Sequence, residues 1–132
     1  MAASLVGKYE YDKNEKVADF YKGLHVPETM IERLVPKAGM KREITVDGNK
    51  ITIVGSSPVT FVLDTEIEET NEHNYTFKST AKLDGNVLIV DSKSVKDDVT
   101  LHRTYQTNEK GLMVVLTADQ TDVVAKIYFK RV

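Results

Sequence analysis

Between residues 47 and 122 the chain carries five turn signals at short intervals: Asp47-Gly48-Asn49, Gly55-Ser56-Ser57-Pro58, Asp84-Gly85-Asn86, Asn108-Glu109-Lys110-Gly111 and Asp119-Gln120-Thr121-Asp122. Each separates two runs rich in β-branched and aromatic residues, the pattern of hairpins. The runs fall at residues 44–46, 51–53, 59–63, 75–77, 87–90, 99–101, 112–116 and 123–129, with two further candidates at 7–11 and 65–69. So many short antiparallel strands leave exposed edges unless the sheet closes or packs on itself. The chain is therefore expected to be all-β, and a barrel rather than a sandwich.

One stretch breaks the period of two. Within residues 14–37, Val17, Phe20, Tyr21 and Leu24 recur at i, i+3, i+4 and i+7, which draws one apolar stripe on a helix. Asn14 is the expected N-cap. The Val26-Pro27 pair ends this helix and begins a second, because the residue before proline disfavours the α region and proline suits a first helical turn. Met30, Ile31 and Leu34 share one side of that second helix, and Gly39 is its stop signal. A helix pair this small cannot cover a sheet, but it is the right size to cap one end of a barrel.

The 132 residues are enough for one domain, 1–132, with a core that needs no staples. The absence of Cys removes disulfides, thiolate metal sites and thiol nucleophiles. With 18 Lys and Arg against 20 Asp and Glu, the formal charge is −2, and no basic cluster suits a nucleic-acid backbone. The start has no basic leader before an apolar run, and no stretch reaches the ~18 apolar residues of a membrane span, so a soluble cytoplasmic monomer is expected. His25, His73 and His102 share no ligand spacing, so no metal is expected. Glu66, Glu68 and Glu69 read as a solvated face rather than a catalytic pair. No nucleophile elbow, phosphate loop or dinucleotide fingerprint occurs, so neither catalysis nor a cofactor is expected.

The order of these pieces resembles the intracellular lipid-binding protein family, which includes fatty-acid-binding and cellular retinoid-binding proteins. The resemblance rests on Gly7-Lys8-Tyr9, the helix-turn-helix directly afterwards, Val46-Asp47-Gly48, the segment from Phe77 to Gly85, Thr100-Leu101-His102-Arg103, and Lys126-Ile127-Tyr128. It implies a ten-stranded antiparallel β-clam around a cavity, with the helices as a lid after the first strand. It also implies a carrier of long-chain fatty acids, with the ligand carboxylate held by Arg103, Lys126 and Tyr128. Lys126 stands where the family has Arg, which exchanges a planar fork for a point charge. The family's gating Phe lies near the turn that here is Gly55 to Pro58.

Counting back from Lys126 without a gap places Gln106 at the upper anion position, whereas a longer hairpin at 107–111 restores Arg103. Gln106 inward would suit an alcohol, so a retinoid or another hydrophobic small ligand is the alternative. Alternation predicts a cavity wall with Arg42, Ile53, Phe61, Tyr75, Phe77, Val115 and Thr117, and lid contacts from Phe20, Tyr21, Met30 and Leu34. Lys16, Lys22 and Arg33 on the lid are candidates for transient contact with anionic membranes.

Overall fold

Alternating apolar positions and tight turns thread the chain into a single antiparallel sheet, as a computed structural model that describes residues 2–55, 58–70, 75–96 and 99–132 shows. A 3-10 turn at Ala2–Leu5 leads into β1 (Gly7–Glu15), followed by helices α1 (Val17–Gly23) and α2 (Glu28–Leu34). The other strands are β2 (Lys41–Asp47), β3 (Lys50–Val54), β4 (Pro58–Val62), β5 (Glu66–Thr70), β6 (Thr76–Asp84), β7 (Val87–Ser94), β8 (Thr100–Thr107), β9 (Gly111–Ala118) and β10 (Thr121–Arg131). The strand order is β4-β3-β2-β1-β10-β9-β8-β7-β6-β5, an up-and-down meander wrapped so that β1 pairs with β10. It is a nearly closed ten-stranded barrel with the helix pair after the first strand. The two strand candidates at 7–11 and 65–69 are both real, as β1 and β5. Among the described residues no helix is long and apolar enough to cross a membrane.

The helix boundaries differ from those read in the sequence. β1 runs on to Glu15, so Asn14 lies in the strand and donates to the Tyr11 hydroxyl. Lys16, in the left-handed region at φ 59°, takes the capping position without a side-chain cap. Pro27 is the residue before α2 rather than its first, and α2 closes at Val35, ahead of Gly39. The stripe itself holds: Val17 and Phe20 of α1 and Ile31 of α2 are buried. Gly23 permits the close seating of α1 on β10, since a Cβ there would fall 2.9 Å from the Thr121 Cβ.

The barrel's far end is shut by local contacts. The Tyr9 hydroxyl donates to the Leu5 carbonyl at 2.7 Å, Arg131 stacks over the Tyr9 ring at 5.2 Å, and Thr107 donates to the Ser4 carbonyl. Thr107 ends β8, whereas Leu101 near its start lines a cavity beneath the helices. Lid and plug therefore sit at opposite ends of the barrel.

Of the three histidines, His73 lies outside the described residues and His25 lies exposed in the connection between α1 and α2. His102 of β8 joins β7 to the turn after β9, with Nδ1 2.8 Å from Asp91 of β7 and Nε2 2.9 Å from Asp119. Both nitrogens can donate only in the imidazolium, and the bonds to Asp91 and then Asp119 raise its pKa above the usual value. Because the folded pKa exceeds the unfolded one, the stabilisation is complete below about pH 6.5 and fades as pH rises through the folded pKa. The urea midpoint of the wild type should therefore exceed that of His102→Gln at pH 6. The gap should close at pH 9.

Candidate functional site

Two adjoining cavities, of about 290 Å³ and about 400 Å³, occupy the barrel beneath the lid and share Tyr21, Phe77 and Leu101 in their walls. Together they match the scale of small-molecule sites, roughly 300–1,000 Å³. The inner one is lined by Phe20, Arg42, Ile53, Val59, Phe61, Glu69, Ser92, Arg103, Tyr105 and Leu116. The outer one reaches the helix connection through Leu24, Pro27 and Leu34, and the strand ends at Tyr75, Ser94 and Val99. The apolar part of the wall follows from alternation: Ile53, Phe61 and Leu116 line the cavity, and Ile51 and Val114, two residues along β3 and β9 from Ile53 and Leu116, are buried with them.

The polar part is one closed circuit. Arg103 Nη2 donates to Glu69 Oε2 at 2.5 Å and to the Ser92 hydroxyl at 3.1 Å. The Ser79 hydroxyl donates to the same Glu69 oxygen. Since that uses the Ser79 proton, Ser92 donates to Ser79 across 2.7 Å. Ser79 and Ser92 are 0% and 2% exposed, and the circuit is what satisfies two buried hydroxyls in neighbouring strands. The guanidinium lies 5.9 Å from the Phe61 ring centroid. Its Nη1 is 3.5 Å from the Tyr105 hydroxyl, the limit of a hydrogen bond, and its Nε is buried without a partner.

Burial works against the Arg103 charge, but Tyr105 and Glu69 outweigh it and lift the pKa above its usual value. The group stays cationic. Burial likewise pushes the Tyr21 phenol up, with Arg103 pulling it partly back, which ties a lid residue electrostatically to the same guanidinium. Arg42 stands on the opposite wall, 5.8 Å over the Phe129 ring, where it donates to the Lys41 carbonyl and packs against Gly55.

Of the three residues expected to hold a carboxylate, the structure brings only Arg103 to the cavity. On β10, Ala125 and Phe129 are 0% and 5% exposed, so Lys126 and Tyr128 take the other face. Lys126 lies opposite Val115, and Tyr128 lies opposite Met113 with Lys13 Nζ 5.2 Å from its ring centroid. Neither lines a cavity. Val115 was expected inward, but Val114 and Leu116 fill that parity, and Val115 shares the outer face with Lys126. Both corrections are one slip, since a shift of one residue exchanges the faces of a strand and of the partner aligned to it. Gln106 is exposed opposite Met113, while Tyr105 before it is buried. Arg103 therefore lines the cavity and Gln106 does not.

Phe20, Tyr21, Arg42, Ile53, Phe61 and Phe77 line the inner cavity as expected, and Thr117 borders it. Leu34 and Tyr75 line the outer one. Met30 lines neither, because α2 turns Ile31 to the core. The expected solvated cluster divides: Glu66 and Glu68 are exposed, whereas Glu69 turns inward with Ile67. Sequence reasoning missed Glu69, although counting two on from Ile67 would have placed it. Ser56 and Ser57, in the turn expected near a gate, lie outside the described residues.

No family model matches the chain. Sodium/calcium exchanger regulatory protein 1 of Doryteuthis pealeii is 29% identical over 137 residues, covering 100% of this chain and 99% of that protein. Among solved structures, REP1-NXSQ fatty acid transporter is 26% identical with a TM-score of 0.82, over 99% of this chain and 98% of that one. A Schistosoma mansoni fatty acid binding protein in complex with arachidonic acid has a TM-score of 0.84 at 18% identity, over 99% of this chain and 98% of that one, a likeness of fold.

Proposed function

We propose that this chain, which belongs to the intracellular lipid-binding protein family, binds hydrophobic ligands in its cavity and that its ligand is a long-chain fatty acid, carried non-covalently through the cytosol by a monomer. The observation that carries the acid assignment is Arg103, a part-buried cation in the wall of the inner cavity whose Nε has no partner. An acyl tail gains ~0.8 kcal/mol for each CH₂ removed from water, so the wall supplies most of the affinity. The guanidinium orients the carboxyl by charge-assisted hydrogen bonds. A relative described as a fatty acid transporter supports the same ligand class.

The test is displacement of a fluorescent fatty acid by palmitate, with mass spectrometry of lipid extracted from the purified protein. Adding Arg103→Gln to a Glu69→Gln background, so that no cavity carboxylate is stranded, should weaken palmitate binding by about 1.5–3 kcal/mol. Lys126→Ala and Tyr128→Phe should leave it unchanged. Equal affinity with and without Arg103 would refute the assignment, and a loss at Lys126 would return the headgroup to the other face of β10.

A further inference from the structure

The cavity cation already has a carboxylate. Glu69 holds Arg103 Nη2 through an oxygen that Ser79 also serves, and its side chain is only 11% exposed. The donors left on Arg103 are Nε, which has no partner, and Nη1, which has only the 3.5 Å contact to Tyr105. A fatty acid headgroup that takes those donors lies beside Glu69, with one guanidinium between two carboxyls. Like charges that share a buried site do not both stay ionised, and one takes up a proton.

The surroundings offer little other relief. From β8 the cavity receives Arg103 and Tyr105, from α1 Tyr21, and from β4 the apolar Phe61. β6 and β7 contribute the serines, while Lys78 of β6 is exposed and sits opposite Glu68. Arg42 of β2 is directed at Phe129 and the Lys41 carbonyl on the far wall. His102, adjacent to Arg103, is held by Asp91 and Asp119.

We infer that Glu69 makes ligand binding proton-linked: the fatty acid docks on Arg103 as the partner of Glu69, and the two carboxyls share one proton taken from solvent. This rests on the fatty-acid reading above. Before binding, Glu69 is the ion-pair partner of Arg103 and a fatty acid in neutral water is a carboxylate; the complex keeps one negative charge over the pair, matched by Arg103. Glu69 is thereby a specificity residue. It favours a headgroup that can carry a proton in with it, or one that has no charge, over a permanently anionic one.

Calorimetric titration with palmitate in phosphate and in Tris, whose ionisation enthalpies differ, counts the protons taken up. Near pH 7.5 the wild type should take up about one proton per palmitate, and its apparent affinity should fall about tenfold per pH unit upward. Hexadecanol should bind with no uptake. Glu69→Gln should bind palmitate with no uptake and with an affinity independent of pH. Palmitate binding to the wild type with no proton uptake overturns the proton linkage and leaves the fatty-acid reading standing. Failure of palmitate to bind at all overturns both. The wild-type titration decides the matter even if the variant does not fold.

Discussion

Arg103→Met is expected to lower the unfolding free energy by about 3 kcal/mol, read from urea denaturation. The substitution keeps most of the stem volume against Phe61 but removes the cation from Glu69, which is 11% exposed and whose only other described partner is Ser79. The cost comes from stranding the carboxylate rather than from losing an attraction. Adding Glu69→Gln should therefore recover most of the loss, because a neutral amide keeps a hydrogen bond with Ser79 without a buried charge. If the double variant were no more stable than Arg103→Met, the pair would be a packing feature only.

Gly111→Val should be at least as damaging, about 4 kcal/mol or more, with failure to accumulate folded protein at 37 °C as the visible result. Gly111 opens β9 opposite Lys130. A Cβ there would press into the Phe129 carbonyl oxygen and lie 2.9 Å from the Lys130 Cα. Both obstacles are main chain, so no side chain can swing aside. Relief would require β9 and β10 to separate, which would also move Leu112 and Phe129, 3% and 5% exposed, out of the core. Gly48→Ala offers a contrast. A Cβ there meets nothing within 4 Å, so its cost would come only from the positive φ of 62°.

Most of the fold was legible because the chain punctuates itself. Each turn signal falls between observed strands, and the lid was marked by a change of hydrophobic period. The site was legible where a strand has one apolar parity. On β8, Leu101, Arg103 and Tyr105 alternate with His102, Thr104 and Gln106, and the cavity takes all of the first set and only His102 of the second. It was not legible on β9, where residues 112–116 are apolar at every position, nor on β10, where Val124 and Tyr128 make the outer parity resemble the inner one. Register irregularities between Thr121 and Ala125, and between Tyr11 and Lys13, further uncouple counting from facing. Lys126 and Tyr128 have the right chemistry on the wrong side, and only backbone pairing decides that. The Asn14 cap failed for a related reason, since β1 is longer than its apolar run and reaches past the residue that looked like a helix start.

Sheet order leaves β4 and β5 at the two margins of the barrel, with no backbone ladder between them. A cylinder stitched on every line but one can change its girth there without parting a strand ladder, as a cuff opens along its slit, although the Asp64 amide still holds the Ala81 carbonyl at one end. Phe61 and Glu69, inner side chains of those two margins, would move apart with it. The guanidinium that touches both, through ring and carboxylate, spans the slit from inside. Such a slit also exposes strand margins to which a foreign chain could bind. Pro58 on one side and exposed Glu66 and Glu68 on the other make it inhospitable to that, through a missing amide donor and through charge.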